Sequence, residues 1–381
     1  MARPTNRPAN LTPARKCFKI EITLSCDTSA AEVPQMYRSL FERLAFGLLA
    51  GFVLTSLPPA SHAADAERVR FYTWDKAEIH GSFYPSSKGN KAPCVLMLHA
   101  LGGSTEQDGW ADLAKKLQKM DLAVLTFDFR GHGESTSVDP EFWRINPKNQ
   151  TLRSYRPGKL REQISYKDFT SLGHWAALVD DISAAKLFLD RKNDSGDCNS
   201  SHVVVIGAES GGTLAAMWIY SEWQRQKVSA VFGLATGGPN NKYEGQDIAC
   251  AVYLSISPYI GLSTKYNVPV DSWMRPVRDK VPMYFLYGEK DNAAARFSKH
   301  LCDNVLHAER DSKIKLTGKM PISDTKLAGR ELLGKPSLPT DDKIIKYIST
   351  VVEARRSSDW AKRDADRTLL VPVPVGRYLN R

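Results

Sequence analysis

The chain has 381 residues, 42% hydrophobic and 25% charged, enough for one large globular domain, or two small ones, with a full core. Its formal charge of +10 falls partly on the N-terminal segment, where residues 1–63 hold seven Lys or Arg against four Asp or Glu. Beyond that segment lysines and acids alternate without a basic block interleaved with aromatics, which excludes a nucleic-acid groove and points to a solvated surface.

In chain order, the first feature has the plan of a secretory signal. Arg38 and Arg43 precede the apolar run Leu44–Leu57, and "PPASHA" (Pro58–Ala63) supplies small residues for cleavage after Ala63. The run is short for a permanent membrane span, so membrane contact is expected only if it stays uncleaved. Residues 1–35 are rich in Pro and Arg for a leader, and a start at Met36 instead of Met1 gives one of ordinary length. The expectation is an exported chain, periplasmic or secreted, with its main domain over residues 64–357. Export permits disulfides. Cys94, Cys198, Cys250 and Cys302 follow the leader with spacing unlike a zinc framework. Cys198 and Cys250 each stand at or just before a predicted strand, so a bridge between them and four buried thiols are both open.

The main domain alternates strand-like and helix-like segments. Arg68–Trp74 and Glu78–Pro85 read as a short antiparallel pair. Cys94–His99, Leu122–Phe129, His202–Gly207, Ala249–Ser257, Val281–Gly288 and Lys313–Leu316 are apolar runs suited to strands buried on both faces. Helical spacing fills Gly109–Met120 and residues around 174–192, 211–227, 293–309 and 341–356. This pattern predicts an α/β fold: an eight-stranded, mostly parallel sheet with helices on both faces. Residues 136–173 form a polar, aromatic insertion, a surface excursion or a lid. Residues 358–381 read as an extended C-terminal tail.

Three stretches carry a resemblance. "LMLHALGGS" (Leu96–Ser104) is similar to a strand ending in His-Gly-x-Gly-Gly, "DFRGHGES" (Asp128–Ser135) to Asp-x-Arg-Gly-x-Gly-x-Ser, and "VVVIGAESGGTLA" (Val203–Ala215) to a strand–turn–helix that presents a nucleophile. Together they resemble the α/β-hydrolase superfamily, nearest to its serine-aminopeptidase and monoglyceride-lipase-like branch, over roughly Arg68 to Arg356. The resemblance implies oxyanion-hole positions at Leu101 and Ser210, and an acid at Asp291 in "YGEKDN". A plain helix-capping role for Asp291 is equally open. Ala100 stands where the family has glycine, which is expected to restrict that turn.

The family's base is a histidine shortly after the last strand. Here the last histidine is His307, inside the preceding helical segment, so the base is missing. Two registers compete for the nucleophile. "GAESG" puts Glu209 at the turn between Gly207 and Gly211; "AESGG" puts Ser210 there between Ala208 and Gly212. Glycine suits the crowded turn better, which favours Glu209. A carboxylate there would be held ionised by the helix N-terminus and its amides, occupying the anion site and repelling an oxyanion. Glu209 could instead attack as a carboxylate nucleophile, with aromatics from "EFWRIN" and "SLGHWAAL" above it, although Trp143 and Trp175 in those stretches are expected to be core residues. His99 and His132, on loops at the C-terminal edge of the sheet, are weak candidates for an unorthodox base and more often structural.

No metal-ligand spacing and no phosphate loop are found, and no cofactor is expected. The sequence therefore points to a catalytically degenerate hydrolase fold acting as a binding or scaffold protein for an unknown small molecule or protein. The alternative is a hydrolase of small esters or amides built on Ser210, Asp291 and one of the two weak bases.

Overall fold

Continuous apolar runs become the central strands of one mixed sheet. The computed structural model describes residues 65–380, apart from 108, 227, 232–233, 238–242, 312–315 and 356–359. The apolar run at 44–57, the cleavage position at Ala63 and the alternative start at Met36 lie outside the described residues. Eight strands form the sheet: β1 (Glu67–Tyr72), β2 (Glu78–Tyr84), β3 (Pro93–Leu98), β4 (Ala123–Phe127), β5 (Asn199–Ala208), β6 (Ile248–Leu254), β7 (Met283–Gly288) and β8 (Gly318–Ile322). Their spatial order is β1-β2-β4-β3-β5-β6-β7-β8. β2 runs antiparallel to β1 and β4, and all later neighbours are parallel.

Alternate residues of each central strand feed two apolar layers. Cys94, Leu96 and Leu98 of β3 enter one; Val95 and Met97 enter the other. Helices α2 (Val179–Asp194) and α3 (Ser210–Glu222) cover the first layer. Helices α1 (Trp110–Gln118) and α5 (Thr340–Ala354) cover the second. Helix α4 (Asn292–His300) continues into a π-helical turn at Leu301–Val305, whose Leu301, Cys302 and Val305 enter the first layer. Among the described residues no helix is long and apolar enough to cross a membrane.

Three expectations need correction. The last strand is at Gly318–Ile322, not Lys313–Leu316; residues 313–315 lie outside the described residues, and Leu316 has a positive φ of 62°. The strand signal there is masked by Gly318 and by Pro321, which an edge strand tolerates because one face of its backbone pairs with nothing. The tail is not simply extended. It carries a helical turn at Val375–Leu379, and Trp273 Nε1 donates to the Tyr378 carbonyl while the Tyr378 ring packs edge-on against Tyr220. A Cys198–Cys250 bridge is excluded by the pleat: the two thiols enter opposite apolar layers, and Cys94, Cys198, Cys250 and Cys302 are all free and buried.

The insertion is tied to the body. Arg130 lies between Asp75 and Asp181, and Asp75 also accepts from Asn149, 3.0 Å away. Trp143 and Trp175 are buried.

Candidate active site

The β5-to-α3 turn is built by steric exclusion around one residue. Glu209 takes φ 48°, ψ −117°, a conformation that costs an L-residue energy and points its side chain off the end of the sheet. The glycines on either side permit it. A Cβ at Gly207 would stand 2.6 Å from the Gly212 Cα, and one at Gly211 would collide with the His99 carbonyl oxygen. The backbone is then held by Glu209 N–H donating to Leu254 O at 2.8 Å. Glu209 is therefore the turn residue, and Ser210 is the first residue of the helix.

Ser210 does not point the same way. Its Oγ accepts a hydrogen bond from the Leu101 backbone N–H at 2.9 Å. Leu101 follows β3 in a loop whose Thr105 N–H donates to Asp128 Oδ1 at 2.7 Å; the other Asp128 oxygen accepts from Glu134 N–H. Asp128 thus locks the loop bearing Leu101 to the "DFRGHGES" turn, which explains an acid there without assigning it chemistry. The restriction expected from Ala100 does not arise, because the left-handed residue of this loop is Gly102, at φ 79°.

The carboxyl of Glu209 meets the loop that follows β8. A Cβ at Gly329 would lie 2.9 Å from Glu209 Cγ, so this close approach needs glycine, which also adopts φ 53° there. Burial, then the negative charges of Glu331 and Asp291, raise the Glu209 acid above its ordinary value, against the pull of Arg330 and Lys265. This corrects the expectation of a carboxylate held ionised by amides: the Leu101 amide serves Ser210 instead. Asp291 caps α4, its Oδ1 accepting from Ala294 N–H at 3.2 Å.

The two histidines near the sheet edge face inward. His99 Nε2 accepts from Phe129 N–H at 3.0 Å, so Nδ1 carries the proton and donates to the Ala100 carbonyl at 2.7 Å. Burial pushes its pKa down to about 4. His132 is fully buried, stacked on Tyr166, with Nδ1 on the Arg130 carbonyl; burial, with His99 beside it, pushes it down to about 3. His307, the last histidine, sits beyond the π-turn with Nδ1 near the Asp303 carbonyl.

A cavity of about 300 Å³ opens at the N-terminal end of the parallel strands, lined by Ala249, Arg278, Lys280, Leu316 and Arg355. Among the described residues no group of His, Cys, Asp or Glu is arranged to hold a metal ion. Sequence reasoning missed Gly329 and the Ser210–Leu101 bond. An isolated glycine after the last strand was the only sign of the first, and nothing local marks the second.

A family model described as alpha/beta hydrolase fold matches residues 93–250. Two uncharacterized proteins from strains of Mycobacterium tuberculosis are each 26% identical over 132 residues, 34% of this chain. The match spans 39% of the length of those relatives. Among solved structures, an esterase of Pyrococcus furiosus aligns at 15% identity over 75% of this chain and 92% of its own, with a TM-score of 0.46. A dienelactone hydrolase from Anabaena variabilis aligns at 15% identity over 77% and 99%, with a TM-score of 0.44. Est1E from Butyrivibrio proteoclasticus, bound to ferulic acid, aligns at 13% identity over 75% and 100%, with a TM-score of 0.45. The strand order, the strained turn after β5 and the matched family model give one answer: this chain has the α/β-hydrolase fold.

Proposed function

We propose that this is an exported α/β-hydrolase-fold protein that has lost hydrolase chemistry. It uses the old cleft, between Leu101, Glu209 and Asp291 at the C-terminal ends of the strands, to bind a small molecule or a protein. The observation that carries this reading is the hydrogen bond from Leu101 N–H to Ser210 Oγ. A hydrolase keeps such an amide open for the developing oxyanion, where it contributes strongly because it is preorganised. Here it is spent on a side chain. At the position from which a nucleophile would project stands Glu209, whose ionised form would repel an oxyanion.

Ser210 also lacks a base. Both ring nitrogens of His99 are engaged with backbone, and His132 Nε2 is sealed in the interior without a hydrogen-bond partner among the described residues. A serine hydroxyl with no base is too weakly acidic to attack at neutral pH. Export rests on the apolar run Leu44–Leu57 and the small residues before Ala64.

The test is hydrolysis of short- and medium-chain nitrophenyl esters by the full chain and its Glu209→Ala and Ser210→Ala variants. Near-background rates in all three are expected. Turnover abolished by Ser210→Ala makes the protein a serine hydrolase of small esters or amides. Turnover abolished by Glu209→Ala alone points to carboxylate chemistry. N-terminal sequencing of the protein from exporting cells should begin at Ala64; a retained leader would mean membrane contact.

A further inference from the structure

Cys198 precedes β5 at the point where that strand meets β3. Asn199 N–H donates to the Ala92 carbonyl at 2.7 Å, Pro93 is the cross-strand partner of Asn199, and the register breaks between Pro93 and Cys94. The break turns both thiols into the same apolar layer, under α2, where each is fully buried. There the two thiols are neighbours on adjacent strands, Cys198 one residue before the partner of Pro93 and Cys94 one residue after Pro93, and Cys198 Sγ reaches the Leu189 carbonyl at 3.5 Å. Cys250 lies across the sheet in the other layer, and Cys302 belongs to the π-turn after α4.

We propose that Cys94 and Cys198 close into a structural disulfide when the chain folds in an oxidising compartment. The inference rests on the export reading for the compartment and on the β3–β5 geometry for the pairing. The step is thiol–disulfide exchange with a small disulfide oxidant of the glutathione type. One cysteine thiolate attacks the oxidant, releasing one thiol. The second thiolate then displaces the other half from the mixed disulfide. Two thiols lose two protons and two electrons, and the oxidant leaves as two thiols. Because both sulfurs are sealed in the folded protein, the bond forms before β3 and β5 close over it. Once formed, it resists reductant until the protein unfolds.

Trypsin separates Cys94, Cys198, Cys250 and Cys302 onto peptides 92–115, 193–225, 243–265 and 300–310, and Cys17 and Cys26 onto 17–19 and 20–38. The full chain is made in exporting cells, and a second sample is unfolded in reductant and refolded in a mixture of reduced and oxidised glutathione. Both are unfolded in guanidinium chloride containing N-ethylmaleimide, so that buried thiols are blocked as well, and are then digested without reductant. The expected product in both is peptide 92–115 joined to 193–225, at their summed mass less two hydrogens. The Cys94→Ser variant should then carry maleimide on Cys198. The joined peptide after refolding, with free thiols in the cell-made protein, upholds the pairing and overturns the export reading. Unlinked thiols after refolding to the native circular dichroism spectrum, or Cys198 joined to peptide 243–265, overturn the pairing whatever the compartment. If refolding fails, the cell-made protein with Ala64 at its N-terminus decides alone: unlinked thiols there overturn the proposal.

Discussion

Replacing Glu209 by glycine should stabilise the protein, against the usual direction for a buried-site substitution. A non-glycine residue held at φ 48°, ψ −117° carries strain of about 1–3 kcal/mol. Glycine adopts that conformation freely, at an entropic cost of about 0.5–1 kcal/mol. The net gain from the backbone is on the order of 1 kcal/mol, or roughly 1.5 °C in Tm for a domain of this size. The carboxyl adds to it. Its acid is raised in the folded state by burial and by Glu331 and Asp291, so the ionised form costs stability as pH rises above the ordinary value of 4.5, and costs nothing well below it. Glu209→Gln keeps the strain and removes the charge. It should therefore stabilise at pH 8 and match the wild type near pH 4. Urea unfolding of the full chain, followed by tryptophan fluorescence at both pH values, measures both effects. A Glu209→Gly variant less stable than wild type by more than about 1 kcal/mol would refute the reasoning, because the side chain would then contribute more than its backbone costs.

Gly211→Ala should destabilise by about 3 kcal/mol or fail to fold, since its methyl would collide with the His99 carbonyl, a backbone atom that cannot swing away; urea midpoints compare it with wild type. Asp180 is buried, and burial raises it to about 6 despite Arg130 and hydrogen bonds from Val373 N–H and Trp74. Its folded form holds the proton more tightly than the unfolded form, so it removes stability as pH rises from about 4 to 6, by up to about 3 kcal/mol. Asp180→Asn should flatten that part of the pH–stability curve, and an unchanged slope would show that Asp180 titrates normally. Tyr378→Ala should cost about 3 kcal/mol by emptying the contact with Tyr220, as read from thermal unfolding; no change would mean the tail is not docked in solution.

Much of this protein was legible locally. A strand buried on both faces must be apolar at every position, so β3, β4, β5, β6 and β7 announce themselves as runs. The turn residue was legible for a steric reason as well: only glycine fits at 207, against Gly212, and at 211, against the His99 carbonyl, which sets the turn on Glu209. The absence of a histidine after His307 is a fact of the sequence alone. What tertiary structure decided were meetings between distant loops. Leu101 reaches Ser210 across 109 positions, Gly329 admits Glu209 across 120, and Cys198 enters the layer of Cys94 instead of that of Cys250. None of these can be read from a periodic pattern, because each depends on which strands are neighbours and on which face of the sheet a residue falls. Strand order sets the first and a single register break resets the second. Local sterics shape a turn, while the sheet chooses what the turn will touch.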